Sequence, residues 1–252
     1  GNANGTDLNR NFPYPGDPTP VYEKETIDMV NFLRQKKFVL SANFHSGEEV
    51  VNYPWDKWYK LHADDEWFRL ISRRYADTVH NYSPPGYMTF MENGITNGAE
   101  WYVITGGRQD FVTYELQGRE VTIELDDFFV TPASELNTLW NSNREALLGY
   151  IRNALYGIHG TVTDSLRGTP VKAMVFISGH DTDSSQVYSS EESGKFIRML
   201  TPGIWDLTFS TPGYFTKTVE NILVADRMKT ELLVELVSSI NPVDTTKTDV
   251  PV

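Results

Sequence analysis

The stretch Phe38 to Asp56, FVLSANFHSGEEVVNYPWD, decides the reading of the chain. Phe38 to Phe44 is a short, largely apolar run, the pattern of a buried strand. His45 follows at its end, where a sheet can hold an imidazole toward an open cleft. Upstream, residues 20–37 carry Ile27, Val30 and Leu33 at helical spacing, with Phe32 beside that stripe. Glu23 and Glu25 come early and Arg34, Lys36 and Lys37 late, an order that suits a helix dipole. Downstream, a second helix is expected from Asp65 to Val79. Trp67, Phe68, Leu70, Ile71 and Tyr75 form its apolar side, and Asp64 or Asp65 is its cap. Glu120 to Leu125 (EVTIEL) reads as another strand. A third helix is expected from Ser134 to Tyr156, with Leu136, Leu139, Trp140, Leu147, Leu148 and Ile151 facing inward.

From Gly157 the character of the chain changes. The runs become short and rich in β-branched or aromatic residues (HGTVTD, VKAMVFI, FIRML, WDLTFS, LLVELV), separated by turn signals such as Thr211-Pro212-Gly213. Such spacing without helices between the runs predicts a small β-sandwich or barrel. The expected organisation is therefore an α/β domain over 1–156, an all-β domain over 157–237, and a polar, Pro-containing linker or tail over 238–252.

Composition limits the function classes. The 252 residues carry a formal net charge of -12, which argues against nucleic acid as partner, because a duplex binder needs a basic face. There are no cysteines, so disulfides and thiolate zinc sites are both excluded. No apolar run approaches the ~20 residues of a membrane span. The opening GNANGTDLNRNF reads like the middle of a domain, and no signal peptide is visible in it.

Four motifs in order, DLNRNFP (Asp7–Pro13), FHSGEEVVNYPWD (Phe44–Asp56), GAEWYVITGGRQD (Gly98–Asp110) and TIEL (Thr122–Leu125), resemble the zinc metallocarboxypeptidases. The likeness is to their regulatory branch, which includes carboxypeptidases D, E, M and N and bacterial relatives. That branch carries a transthyretin-like β-sandwich straight after the catalytic domain, and Gly157 to Val237 looks like that module. The fold implied is α/β: the C-terminal part of a mixed-sheet carboxypeptidase domain followed by the sandwich. Gly118 stands where animal relatives commonly have a cysteine, which suits a bacterial source.

The resemblance also implies roles. His45 would be the third ligand of a zinc ion, Zn2+. Glu124 would be general base and acid, its strand desolvating it toward a working pKa. Arg10 and Asn9 would hold the substrate's terminal carboxylate, a task suited to a planar guanidinium. Tyr102 would close over the bound C-terminus, with Tyr114 a nearby decoy. Asp56 would attract a C-terminal Lys or Arg, and Gln109 would be a polar residue of the same pocket. Arg108 stands where the family usually has methionine, and a cation pointing into the pocket would weaken that preference.

The family's first two zinc ligands come from an HxxE motif that should lie ahead of Gly1. His45 to Glu48 also spells HxxE but matches the later His, so Glu48 is expected to be a loop acid. His62, His80, His159 and His180 have no partner at a useful spacing. The chain alone is thus expected to lack two zinc ligands and to be inactive. Its parent is expected to be a secreted, periplasmic or cell-surface exopeptidase acting on peptide or protein C-termini. Two rivals stay open: a metal-free carboxypeptidase-like protein that binds C-termini without cleaving them, and a structural role led by the sandwich.

Overall fold

The computed structural model describes residues 1–17 and 21–239. The expected tail from residue 240 onward lies outside the described residues, as does the start of the first expected helix. The N-terminal motif makes a short 3-10 turn, Leu8–Arg10, which leads to helix α1 (Lys24–Lys36). Strands β1 (Leu40–His45) and β2 (Glu48–Tyr53) and helix α2 (Asp65–His80) follow. Then come the one-turn segments α3 (Phe90–Asn93) and α4 (Gly98–Trp101), with β3 (Ile95–Asn97) between them. Helix α5 (Arg108–Glu115), strand β4 (Arg119–Asp126) and helix α6 (Leu136–Arg152) complete the α/β part. Its mixed sheet runs β1-β4-β2-β3, with β4 parallel to β1 and antiparallel to β2.

Alternation along β4 sorts its side chains to two faces. Val121 and Ile123 enter the apolar core with Phe68, Ile71 and Tyr75 of α2 and Ala146 and Tyr150 of α6. Glu120, Thr122 and Glu124 point to the opposite face, toward α5. There Phe12, Val30, Leu33, Phe111 and Val112 make a smaller core.

The sandwich comprises β5 (Gly157–Asp164), β6 (Met174–Phe176), β7 (Val187–Tyr188), β8 (Lys195–Arg198), β9 (Gly203–Ser210), β10 (Lys217–Val224) and β11 (Lys229–Leu236). Its sheets run β10-β9-β6-β7 and β11-β5-β8. Ile158, Val162, Phe196, Leu207, Phe209 and Val234 fill the space between them. Each such side chain contributes about 1.5–3 kcal/mol by leaving water.

Some expectations need correction. In α6 the buried residues are Ser142, Asn143, Ala146 and Tyr150, while Leu136, Trp140, Leu148 and Ile151 are exposed. Polar anchors set that rotation: Asn143 accepts from Tyr75 Oη at 2.8 Å, and Tyr150 Oη donates to Ser41 O at 2.7 Å. Ile27 and Phe32 of α1 are exposed too. β1 is an edge of the described sheet and only partly buried, with Phe44 exposed. Glu48 opens β2, opposite Asp126 of β4, and is not a loop acid.

Asp64 precedes α2, but its carboxylate makes no cap. It is wholly buried and accepts from Arg119 at the start of β4 (Nη2 to Oδ2, 2.6 Å) and from Arg198 of β8 (Nη1 to Oδ2, 2.6 Å). His180 Nε2 lies 2.8 Å from its Oδ1, so this histidine does have a partner, across the chain. Arg198 also donates to Asp181 Oδ1 at 2.6 Å, and Arg119 to Ser185 O at 2.7 Å. The α/β sheet and the sandwich are therefore joined through one buried ionic knot. Burial alone would raise the Asp64 carboxyl, yet the Arg198 and Arg119 charges hold it well below the usual carboxylate range.

Candidate active site

The parallel register of β1 and β4 sets His45 directly beside Glu124. His45 Nδ1 is 3.1 Å from Glu124 Oε2; the glutamate is buried and the imidazole is 40 % exposed. The hydrogen bond that His45 donates to the Glu124 carboxylate is the largest influence on the imidazole and raises its pKa. A cleft beside this pair is lined by Asn9, Asn52, Asp56, Gly98, Trp101, Tyr102, Ile104, Thr122 and Glu124.

Asp56 forms the cleft's buried acidic end. Asn52 Nδ2 and Gln109 Nε2 both donate to its Oδ1, at 2.9 and 3.1 Å. Their carbonyl oxygens, Asn52 Oδ1 and Gln109 Oε1, are buried without a hydrogen-bond partner. Burial, then the nearby Asp110 charge, pushes the Asp56 carboxyl well above its ordinary value. Asp110 is itself pushed up to about 6 by burial, although it accepts the backbone N–H groups of Asp56 and Lys57. Gly98 is demanded by close approach: a Cβ there would stand 1.9 Å from Asp56 Oδ1.

The N-terminal motif reaches the same cleft through the Gly106-Gly107 turn. Phe12 N donates to Gly106 O at 2.9 Å, and Gly106 takes a φ of +74° with no room for a Cβ beside Arg10 O. Arg10 is partly exposed, 3.6 Å from Asp7, and close enough for its charge to bear on both Asp56 and His45. Tyr102 directly follows α4 and is 48 % exposed, its ring set edge-on to Trp101. The fold thus gathers Glu124, Asn9, Tyr102 and Asp56 around one cleft. Gln109 stands behind Asp56, and His45 and Arg10 stand close beside.

Arg108 does not point at the pocket. Its Nε and Nη2 donate to the two oxygens of buried Glu120 at 2.9 and 3.1 Å, and Nη2 also reaches Ala42 O at 2.9 Å. Tyr114 is half-buried and packs against Trp55 and Trp58, away from the cleft lining. His62 Nδ1 accepts from Asp64 N, and burial lowers its pKa to about 3; His80 Nε2 pairs with Met88 O. Sequence reasoning passed over Asn52, Thr122, Glu120 and Asp110. Period two along β4 could have found Thr122 and Glu120, since both share Glu124's face.

His45 fits one position of a catalytic zinc, which takes three protein ligands. Among the described residues no group of three ligand atoms gathers around it. The one such group is Asp64, His180 and Asp181, whose oxygens already serve two arginines. That donor set suits an ion-pair knot and not a cation.

Comparison with known proteins gives the family of the chain. The zinc carboxypeptidase family profile (Peptidase M14) matches residues 1–146. The chain belongs to that family. A carboxypeptidase regulatory-like domain matches residues 157–237. Carboxypeptidase D of Rattus norvegicus is 35% identical over 250 residues, covering 92% of this chain and 18% of the relative. The carboxypeptidase N catalytic chain of Homo sapiens is 33% identical over 252 residues, covering 86% of this chain and 54% of the relative. The chain therefore spans about half the length of the second relative and under a fifth of the first. The solved carboxypeptidase A from Helicoverpa armigera superposes with a TM-score of 0.51 at 17% identity, over 58% of this chain and 41% of that one. That likeness speaks for the carboxypeptidase fold alone. No helix of the described residues is long and apolar enough to cross a membrane.

Proposed function

We propose that the full-length protein carrying this chain is a zinc-dependent metallocarboxypeptidase that removes single C-terminal residues, preferring Lys or Arg, from peptides or proteins outside the cytoplasm. The observation that carries this reading is a single cleft lined by Glu124, by Asn9 of the N-terminal motif and by the buried Asp56, with His45 paired to Glu124 beside it. Zinc, held in part by His45, would supply Lewis-acid polarisation of the scissile carbonyl and of the attacking water. Glu124 takes the proton that this water loses as its oxygen bonds to the carbonyl carbon. It then gives that proton to the amine as the C–N bond breaks. Arg10 and Asn9 bind the terminal carboxylate, which an internal peptide lacks, so only the last residue is released. Tyr102 closes over the bound end.

The preference for a cation rests on Asp56 and its surroundings. A buried carboxylate flanked by two unpartnered amide oxygens suits a group that is all donor and positively charged. Lysine and arginine side chains are such groups. Replacing Asp56→Asn should lower the Lys-over-Phe ratio of C-terminal release by about 10²-fold, because an apolar end no longer leaves a buried charge unpaired. Equal loss on both substrates would remove Asp56 from the pocket.

Arg10→Lys tests the carboxylate clamp. A lysine keeps the charge but not the fork, so KM should rise ~10-fold or more while kcat changes little. A peptide with an amidated C-terminus should show no difference between the two proteins. Zinc analysis of the full-length protein tests the remaining step. About one zinc per chain with release of the last residue supports the enzyme. Tight binding of C-termini with no zinc and no release would favour the metal-free binding protein instead.

A further inference from the structure

Arg108 sits between two residues that both approach Asp56. A Cβ on Gly107 would stand 3.2 Å from Asp56 Oδ2, and Gln109 Nε2 donates to Oδ1 at 3.1 Å. The chain thus holds an arginine at the back wall of an acidic pocket. Its guanidinium nevertheless turns to the sheet, where both oxygens of Glu120 and the carbonyl of Ala42 hold it. Glu120 is itself fixed: its side chain is wholly buried and Ser41 Oγ donates to its Oε2 at 2.5 Å. Two parallel N–H to oxygen bonds, largely out of water, define direction as well as charge.

We propose that Glu120 is a positioning residue for specificity, clamping Arg108 against the β1–β4 floor so that Asp56 stays free to pair with a cation of the substrate. The proposal rests on the reading of Asp56 given above. Without the Glu120 charge, the guanidinium loses its partner in a site only 19 % exposed and must find another anion. Asp56 is the one its chain neighbours already touch. Paired there, Arg108 would fill the place of the substrate's cation and favour neutral C-termini.

Two carboxylates compete for a freed Arg108, so the experiment must tell them apart. Glu124 shares Glu120's face of β4, and capture by it would slow every substrate alike. In the full-length protein, release of C-terminal Lys and Phe from matched peptides should be compared for wild type, Glu120→Gln, Arg108→Met and the double variant. Calorimetric binding of free L-lysine and L-phenylalanine gives the same comparison without turnover. Glu120→Gln should lower the Lys-over-Phe ratio ~10-fold or more. The double variant should restore it, and Arg108→Met alone should stay close to wild type. Glu120→Asp, which keeps the buried charge but shortens its reach, should shift the ratio in the same direction if the Gln variant does not fold. An unchanged ratio, or a parallel fall for both ligands, overturns the proposal. If Asp56→Asn also leaves the wild-type ratio unchanged, the reading of Asp56 falls with it. If Asp56→Asn abolishes the preference and Glu120→Gln does not, Asp56 stands and the role of Glu120 alone is lost.

Discussion

Glu124→Gln in the full-length protein should reduce release of the C-terminal residue by about 10³-fold, the range expected when a general base is removed from its reaction. The amide matches the carboxylate in size, and Glu124 is buried in a strand whose register with β1 comes from backbone bonds. The variant should therefore fold with a melting temperature near that of wild type. It should bind a peptide end as before, because the proposed clamp at Arg10 and Asn9 and the proposed specificity acid Asp56 are separate side chains. What it loses, on the proposed mechanism, is the acceptor for the proton of the attacking water. The decisive measurement is kcat beside substrate affinity and zinc content. A variant keeping more than about a tenth of wild-type kcat would remove Glu124 from the role of base.

The second large effect concerns Asp64. Changing it to asparagine leaves Arg119 and Arg198 buried with no anion between them, and Arg198 with Asp181 alone. Breaking a buried ion pair in this way costs about 3–5 kcal/mol. At roughly 2–4 °C per kcal/mol for a chain of this size, melting should fall by ~10 °C. The knot joins β4 and α2 to the sandwich, so the loss should fall first on their attachment. Trp205 is edge-on to His180 at 5.0 Å, so the difference in emission between proteins with and without Trp205→Phe reports this junction, and far-ultraviolet dichroism reports the whole. In Asp64→Asn the two transitions should separate. A variant within about 1 kcal/mol of wild type, with coincident transitions, would show the knot to be dispensable.

The pH dependence follows from the direction of the Asp64 shift. Its folded pKa is depressed well below the ordinary value near 3.8. Its contribution is thus fully present above the unfolded value, and it is lost as pH falls below that value toward the folded one. Acid should loosen the sandwich from the sheet in wild type, and much less so in the asparagine variant, which has no such carboxylate to protonate.

Much of this protein is written locally. The periods of EVTIEL and of Asp65 to Val79, and the turn residues after Gly157, predict elements observed within a few residues of their places. They do so because a period of two or 3.6 is a property of neighbouring residues. The ordered motifs were enough to name the family and to single out His45 and Glu124, while their pairing comes from the register of β1 and β4. Other features depend on residues far apart in sequence. The inward face of α6 was misjudged because the helix offers apolar residues on several sides, and hydrogen bonds to Tyr75 and Ser41 chose among them. Arg108 could not be aimed from the sequence, since an arginine reaches either way and the choice lay with Glu120. Asp64 or Asp65 read as a helix cap, and only the fold brings Arg198 of β8 to the Asp64 carboxylate. The sequence alone determined which elements form and which family their motifs mark. Only the tertiary structure decided where the charges point, because a buried charge takes its direction from partners that folding alone brings within reach.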